Sequence, residues 1–193
     1  MTTRTRLVLS FGGRLELDVV AGDRVPAATE LFVVSQDVNL ILGDVGTLED
    51  TGETAQEVLA LERSRQTARL GSILVAPARQ GAPLVLHAVV YDFAARPPVE
   101  PRVVFEALVG CFEEARKRRL ARLALVPLGT AHHGIDAPVF LALLTQVCYS
   151  AVDLGTSIRQ VHLLVRSSED VATYEALIRG IGAPRRAAGR AGG

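Results

Sequence analysis

The stretch LALVPLGTAHHGID, residues 123 to 136, holds the residue types best suited to chemistry in this chain. An apolar run stops at Pro127 and gives way to Gly129, Thr130, Ala131, His132, His133 and Gly134. Glycines ahead of a helix let backbone N–H groups converge on an oxyanion, so this loop can cradle a phosphate. The histidines offer a second chemistry. An imidazole titrates near neutrality, with an ordinary pKa of about 6.5, and His132 or His133 can act as a general base. A metal is a third option, but adjacent histidines do not readily share one ion, and no Cys or His partner lies at ligand spacing. Plain turn chemistry explains the glycines as well.

Two more loops carry similar residues: Gly22-Asp23-Arg24, and the polar stretch from Ser35 to Gly46. No Gly-Lys-Ser/Thr follows any of them, so none is a P-loop, and none has the dinucleotide GxGxxG spacing.

The elements that position these loops alternate between short apolar runs and longer helical patterns. RLVLS and RLELDVV flank a Phe11-Gly12-Gly13 turn and read as a hairpin. ELFVVS, LALVPL and QVHLLVR are continuous apolar runs, as expected of strands buried on both faces. SILVAPA and PLVLHAVVYDF form another strand pair around Arg79-Gln80-Gly81.

Four helices are expected between them. ETAQEVLALERSRQTARLG gives one, with Thr51 or Thr54 as its cap and Gly71 as its stop. Pro101 opens the next, with Val104, Leu108, Cys111, Phe112 and Ala115 on one face and RKRRLAR at its end, where the dipole favours cations. APVFLALLTQVCYSAVDLG and SSEDVATYEALIRG supply two more, the latter capped by Ser167 or Ser168. His87 and His162 lie within strands, where a hydrogen-bonded structural histidine is the default. Strand–helix alternation of this kind gives an α/β sandwich with helices on both faces.

Bulk properties narrow the function. The 193 residues suit one domain, expected over residues 1–182 with a flexible tail over 183–193. Basic and acidic residues number 21 each, so no global charge draws the chain to nucleic acid or an anionic membrane. No apolar run reaches the roughly 18 residues of a membrane span. Cys111 and Cys148 sit in helical patterns rather than a disulfide framework, which points to a reducing, cytoplasmic setting.

The order VVAGDR, ELFVVSQDVN, LGDVG, GSILVAP, LVLHAVVYD, LALVPLGTAHHG, VHLLVRSSEDVATYEAL resembles a macro domain, the ADP-ribose-binding fold, over residues 15 to 180. The resemblance implies a three-layer α/β/α sandwich with a mixed, largely parallel central sheet. It places Asp23 where the family's Gly-Asp carboxylate accepts a hydrogen bond from the adenine amino group. Gly43 and Gly46 fall in the first diphosphate loop, although the family's consecutive glycines are lacking and Asp44 must point away from a phosphate. Asp37 or Asn39 stands near the segment that in the family reads Asn-Ala-Ala-Asn, touches the distal ribose and orients water; a polar loop without catalytic duty explains them equally.

The same resemblance aligns Gly129, Thr130 and Gly134 with the family's Gly-Thr-Gly-x-x-Gly, with Ala131 in place of the middle glycine. Thr130 would add a hydroxyl donor, and His133 falls where an aromatic residue often borders the distal ribose. Arg166 falls where an aromatic side chain often stacks on adenine; a guanidinium can stack too, though a solvated arginine at a strand end is equally ordinary. Tyr91, Asp92 and Phe93 close a strand near that rim.

Three functions are consistent with these residues: a binder of ADP-ribose or a related nucleotide diphosphate, a hydrolase of ADP-ribosyl bonds using Asp37, Asn39 or His133, and an interaction module. The binder reading ranks first because the glycines and Asp23 remain while the Asn-Ala-Ala-Asn segment is out of register. The expected partners are that nucleotide and an ADP-ribosylated protein, with no membrane, no specific nucleic acid, and neither cofactor nor metal.

Overall fold

A computed structural model describes residues 7–22, 25–40, 68–76 and 81–182. The apolar runs become strands: β1 (Val8–Phe11), β2 (Leu15–Ala21), β3 (Leu31–Asp37), β4 (Ile73–Val75), β5 (Leu84–Tyr91), β6 (Arg122–Leu125) and β7 (Gln160–Val165). They form one sheet in the order β1-β2-β7-β6-β3-β5-β4. The five central strands are mutually parallel, and β1 and β4 close the two edges antiparallel to their neighbours. This is the mixed, largely parallel sheet expected from the sequence.

Three helices follow among the described residues: α1 (Pro101–Arg118), α2 (Ala137–Asp153) and α3 (Ser168–Gly182). Pro101 occupies the first turn of α1, and Arg116, Lys117 and Arg118 fill its last, where they suit the helix dipole. Val104, Leu108, Cys111, Phe112 and Ala115 are buried, so the face read from the sequence is the one that packs. Ser167 caps α3: its hydroxyl accepts from the Asp170 amide at 3.1 Å, while the Asp170 carboxylate accepts from the Ser167 amide at 3.0 Å. Each group satisfies a donor at the other's end, as in a capping box.

The crossovers β5–α1–β6 and β6–α2–β7 run the same way along the sheet, so right-handed connection puts α1 and α2 on one face. Ile73 of β4 meets Gly110 of α1 on that side. On the other face, Leu74 and Val89 pack with Leu40 and Ala68 in a separate small cluster. β3 and β7 are buried along both faces, as the middle layer of a three-layer sandwich must be. The helix expected over Glu53 to Gly71 lies outside the described residues except at its end, where Arg69 to Ser72 is a turn closed by the Ser72 amide on the Arg69 carbonyl at 3.0 Å. The Arg79-Gln80-Gly81 turn is likewise described only from Gly81.

Both ends of the sheet are tied. At the amino ends of the parallel strands, the Glu30 carboxylate accepts from the Ala121 and Arg122 amides at 2.8 and 2.9 Å. At the carboxyl ends, the Gly22 amide donates to the Val165 carbonyl at 3.1 Å, and Val38 donates to Tyr91 at 3.0 Å. Those carboxyl ends therefore hold their outgoing loops side by side. No described helix is long and apolar enough to cross a membrane.

Candidate anion-binding site

The loop Gly129–Gly134 joins β6 to α2 at the carboxyl edge of the sheet, where open α/β folds bind ligands. Its shape begins with two glycines that admit no substitute. Gly129 has φ +71°, and a Cβ there would lie 2.9 Å from the side chains of Val99 and Val104. A Cβ on Gly134 would overlap the Gly129 carbonyl oxygen. Three backbone bonds close the loop on itself: Thr130 N–H to Pro127, Gly134 N–H to Ala131 at 2.9 Å, and Ile135 N–H to Gly129 at 2.8 Å.

Between the glycines, His132 and His133 both take left-handed backbone, with φ of 52° and 59°. L-residues there carry a cost of about 1–2 kcal/mol each, somewhat less for His, which is enriched in this region. The two residues form the centre of the turn that the Gly134 amide closes on the Ala131 carbonyl. Among the described residues, the N–H groups of Ala131, His132 and His133 donate to nothing. Three consecutive unpaired donors in a turn at the surface are suited to an anion. The start of α2 lies just beyond, with Asp136 at its N-cap making no side-chain cap bond to the first-turn amides.

Thr130 departs from its expected role as a phosphate donor. Its hydroxyl already donates to the Pro127 carbonyl at 2.9 Å, and it faces the Tyr174 phenol of α3. Burial pushes the Tyr174 phenol up to about 12; the Thr130 hydroxyl opposes the shift and the Asp170 carboxylate adds to it. The side chain of Thr130 thus braces the loop on its own entry at Pro127, and the donors that remain are amides.

Aromatic side chains grip the loop from the end of β5. Tyr91 is buried, and its hydroxyl donates to the Ala131 carbonyl at 2.9 Å. Phe93 stacks on Tyr91 at 5.3 Å between centroids, and the His132 ring stands edge-on to both, at 5.8 and 5.9 Å. The Gly129 amide also points to the Ser35 hydroxyl, at 3.4 Å. Sequence reading placed Tyr91 and Phe93 near the rim without their contact to the loop, and it gave Ser35 no role. Nothing in residue types or spacing signals either contact.

The remaining candidates are placed as follows. Asp37 is fully buried at the end of β3, and its carboxylate accepts from the Asn39 amide at 3.1 Å. It shapes the turn out of the strand, and the Asn39 side chain is exposed beside it. His132 and His133 are exposed. Arg166 is exposed at the end of β7 and makes no hydrogen bond or ion pair among the described residues. Asp23, Gly43 and Gly46 lie outside the described residues. No group of three His, Cys, Asp or Glu side chains gathers among the described residues.

Comparison with known proteins bears on the architecture. No family model matches the sequence, and no curated protein does. Solved structures do. The Oceanobacillus iheyensis macrodomain with MES bound superposes with a TM-score of 0.74 at 14% identity, over 92% of this chain and 97% of that one. The same macrodomain with ADP gives 0.74 at 14% identity, over 92% and 96%. The Trypanosoma brucei macrodomain in complex with ADP-ribose gives 0.65 at 14% identity, over 84% of this chain and 68% of that one. Chains this far apart in sequence share architecture before anything else, and on that ground this chain has the macrodomain fold.

Proposed function

We propose that this protein binds ADP-ribose or a closely related nucleotide diphosphate in the cleft at the carboxyl edge of its sheet. The observation that carries the proposal is the row of unpaired amides on Ala131, His132 and His133 at the carboxyl edge of the sheet, an edge at which open α/β folds commonly bind ligands. A diphosphate suits three N–H donors beside a helix N-terminus because each bond to an ionised oxygen is stronger than one to a neutral group. Asp23 is assigned to the adenine amino group, Arg166 to the base as a stacking partner, and the Gly43–Gly46 segment to the other side of the diphosphate. The macrodomain neighbours solved with ADP and with ADP-ribose support this ligand class.

A hydrolytic role would fall to Asn39 and His133, the exposed polar side chains at the rim, because the Asp37 carboxylate is engaged with the Asn39 amide. Binding therefore ranks ahead of turnover, and an ADP-ribosylated protein is the natural macromolecular partner. The buried thiols of Cys111 and Cys148, both pushed far above the ordinary cysteine range by desolvation, support a reducing cytoplasmic setting. Thermal unfolding with and without ADP-ribose tests the proposal. Ligand at a hundred times its Kd adds about 2.7 kcal/mol of stability, and an unchanged melting temperature at millimolar ADP-ribose would count against it.

A further inference from the structure

We infer that Tyr91 and Phe93 are positioning residues that hold the Gly129–Gly134 loop in its anion-binding shape, and that they thereby set a preference for ligands carrying a diphosphate. The inference rests on the ligand proposed above. The loop holds two consecutive histidines in left-handed backbone, a conformation that needs outside support to persist. Where the histidines sit, that support comes from Tyr91 at the end of β5 and from Phe93 just beyond it. The Tyr91 hydroxyl bonds the Ala131 carbonyl at 2.9 Å, the oxygen that also accepts the Gly134 amide at 2.9 Å. One acceptor, with its two lone pairs, thus joins the strand and the loop's own closure. Phe93, stacked on Tyr91, presents its ring to the edge of His132, so the side chain of one strained residue is held as well as the backbone before it.

Neither aromatic residue donates to the ligand. Their action passes through the Ala131, His132 and His133 amides, which point at an anion only while the two histidines keep their backbone angles. Losing the tether should therefore weaken ligands in proportion to what they place in the loop: ADP-ribose and ADP strongly, adenosine hardly at all.

The test combines Tyr91→Phe, which deletes the hydroxyl and keeps the ring, with Phe93→Leu, which keeps the hydroxyl and removes the ring facing His132. Tyr149→Phe, on the exposed side of α2, serves as a control. In ligand-free protein, Tyr91→Phe is expected to cost the Gly134 and Ile135 amides about tenfold of their hydrogen-exchange protection, the worth of one net hydrogen bond. ADP-ribose and ADP should bind about tenfold more weakly to Tyr91→Phe and several-fold more weakly to Phe93→Leu, with adenosine affinity and the Tyr149→Phe control unchanged. Equal loss for adenosine and ADP-ribose would mean general structural damage and overturn the inference, as would unchanged exchange at Gly134 and Ile135. If the unaltered protein binds no ADP-ribose, the ligand proposal falls and the claimed preference falls with it, while the exchange measurement still decides whether Tyr91 tethers the loop.

Discussion

His162 Nδ1 lies 2.7 Å from a carboxylate oxygen of Asp18, with both side chains buried. The two residues face each other across the parallel pairing of β2 and β7. His162 supplies one of the contacts that hold this carboxylate in the interior. Removing one member of a buried pair typically costs about 3–5 kcal/mol, whereas replacing both with apolar residues of similar volume is often close to neutral. His162→Ala should accordingly lose about 3 kcal/mol or more in urea unfolding, and an Asp18→Leu, His162→Leu double variant should recover much of it. A loss below about 1 kcal/mol for His162→Ala would mean that water already reaches the pair.

His133 gives a second prediction, because its left-handed backbone is carried by a residue that gains nothing from it in isolation. Replacing His133 with glycine removes the strain but adds disorder to the unfolded chain, for a net gain of about 0.5 kcal/mol. His133→Val, with a β-branched side chain in the same conformation, should lose about 1–2 kcal/mol. Denaturation midpoints of the two variants on opposite sides of the parent value would bear this out; the reverse order would contradict the backbone assignment.

Gly134→Ala bears on the loop itself. The added methyl overlaps the Gly129 carbonyl oxygen, which also accepts the Ile135 amide, so the closure of the loop must open. ADP-ribose affinity should fall by about tenfold or more, the equivalent of at least 1.4 kcal/mol. Full retention of affinity would show that the amides beside Gly134 do not contact the ligand.

Tyr174 supplies a pH dependence. Its phenol is raised in the folded protein to about 12, from an ordinary 10.0. The unfolded chain therefore loses this proton first as pH rises. The stability contributed by the neutral phenol is intact below pH 10 and drains away between pH 10 and 12, by on the order of 2 kcal/mol. Tyr174→Phe has no proton to lose there, so its stability should decline less over that interval. Parallel curves for the two proteins would show that the phenol is solvated in the fold.

Much of the architecture could be read from local pattern. ELFVVS and QVHLLVR are too uniformly apolar for a half-exposed sheet, and β3 and β7 are in fact central. The face Val104-Leu108-Cys111-Phe112-Ala115 needed only helical periodicity. The loop was visible because Gly129 and Gly134 punctuate an apolar run. Contacts that depend on strand order were not visible: Asp18 and His162 lie 144 residues apart and Tyr91 and Ala131 lie 40 apart. Nothing in either neighbourhood hints at its partner. The fate of Thr130 was also hidden, since a hydroxyl beside glycines reads as a ligand donor until the Pro127 carbonyl is seen to occupy it. The left-handed histidines could not be expected either, because that backbone ordinarily signals itself through glycine.

Calorimetric titration of the protein with ADP-ribose, with AMP and NAD as comparators, tests the central claim most directly. Selective micromolar binding, about −8 kcal/mol, is the predicted result, with AMP weaker because it lacks the second phosphate that the loop amides would hold. No heat with any of the three would contradict the account, leaving a macrodomain fold whose cleft serves some other partner.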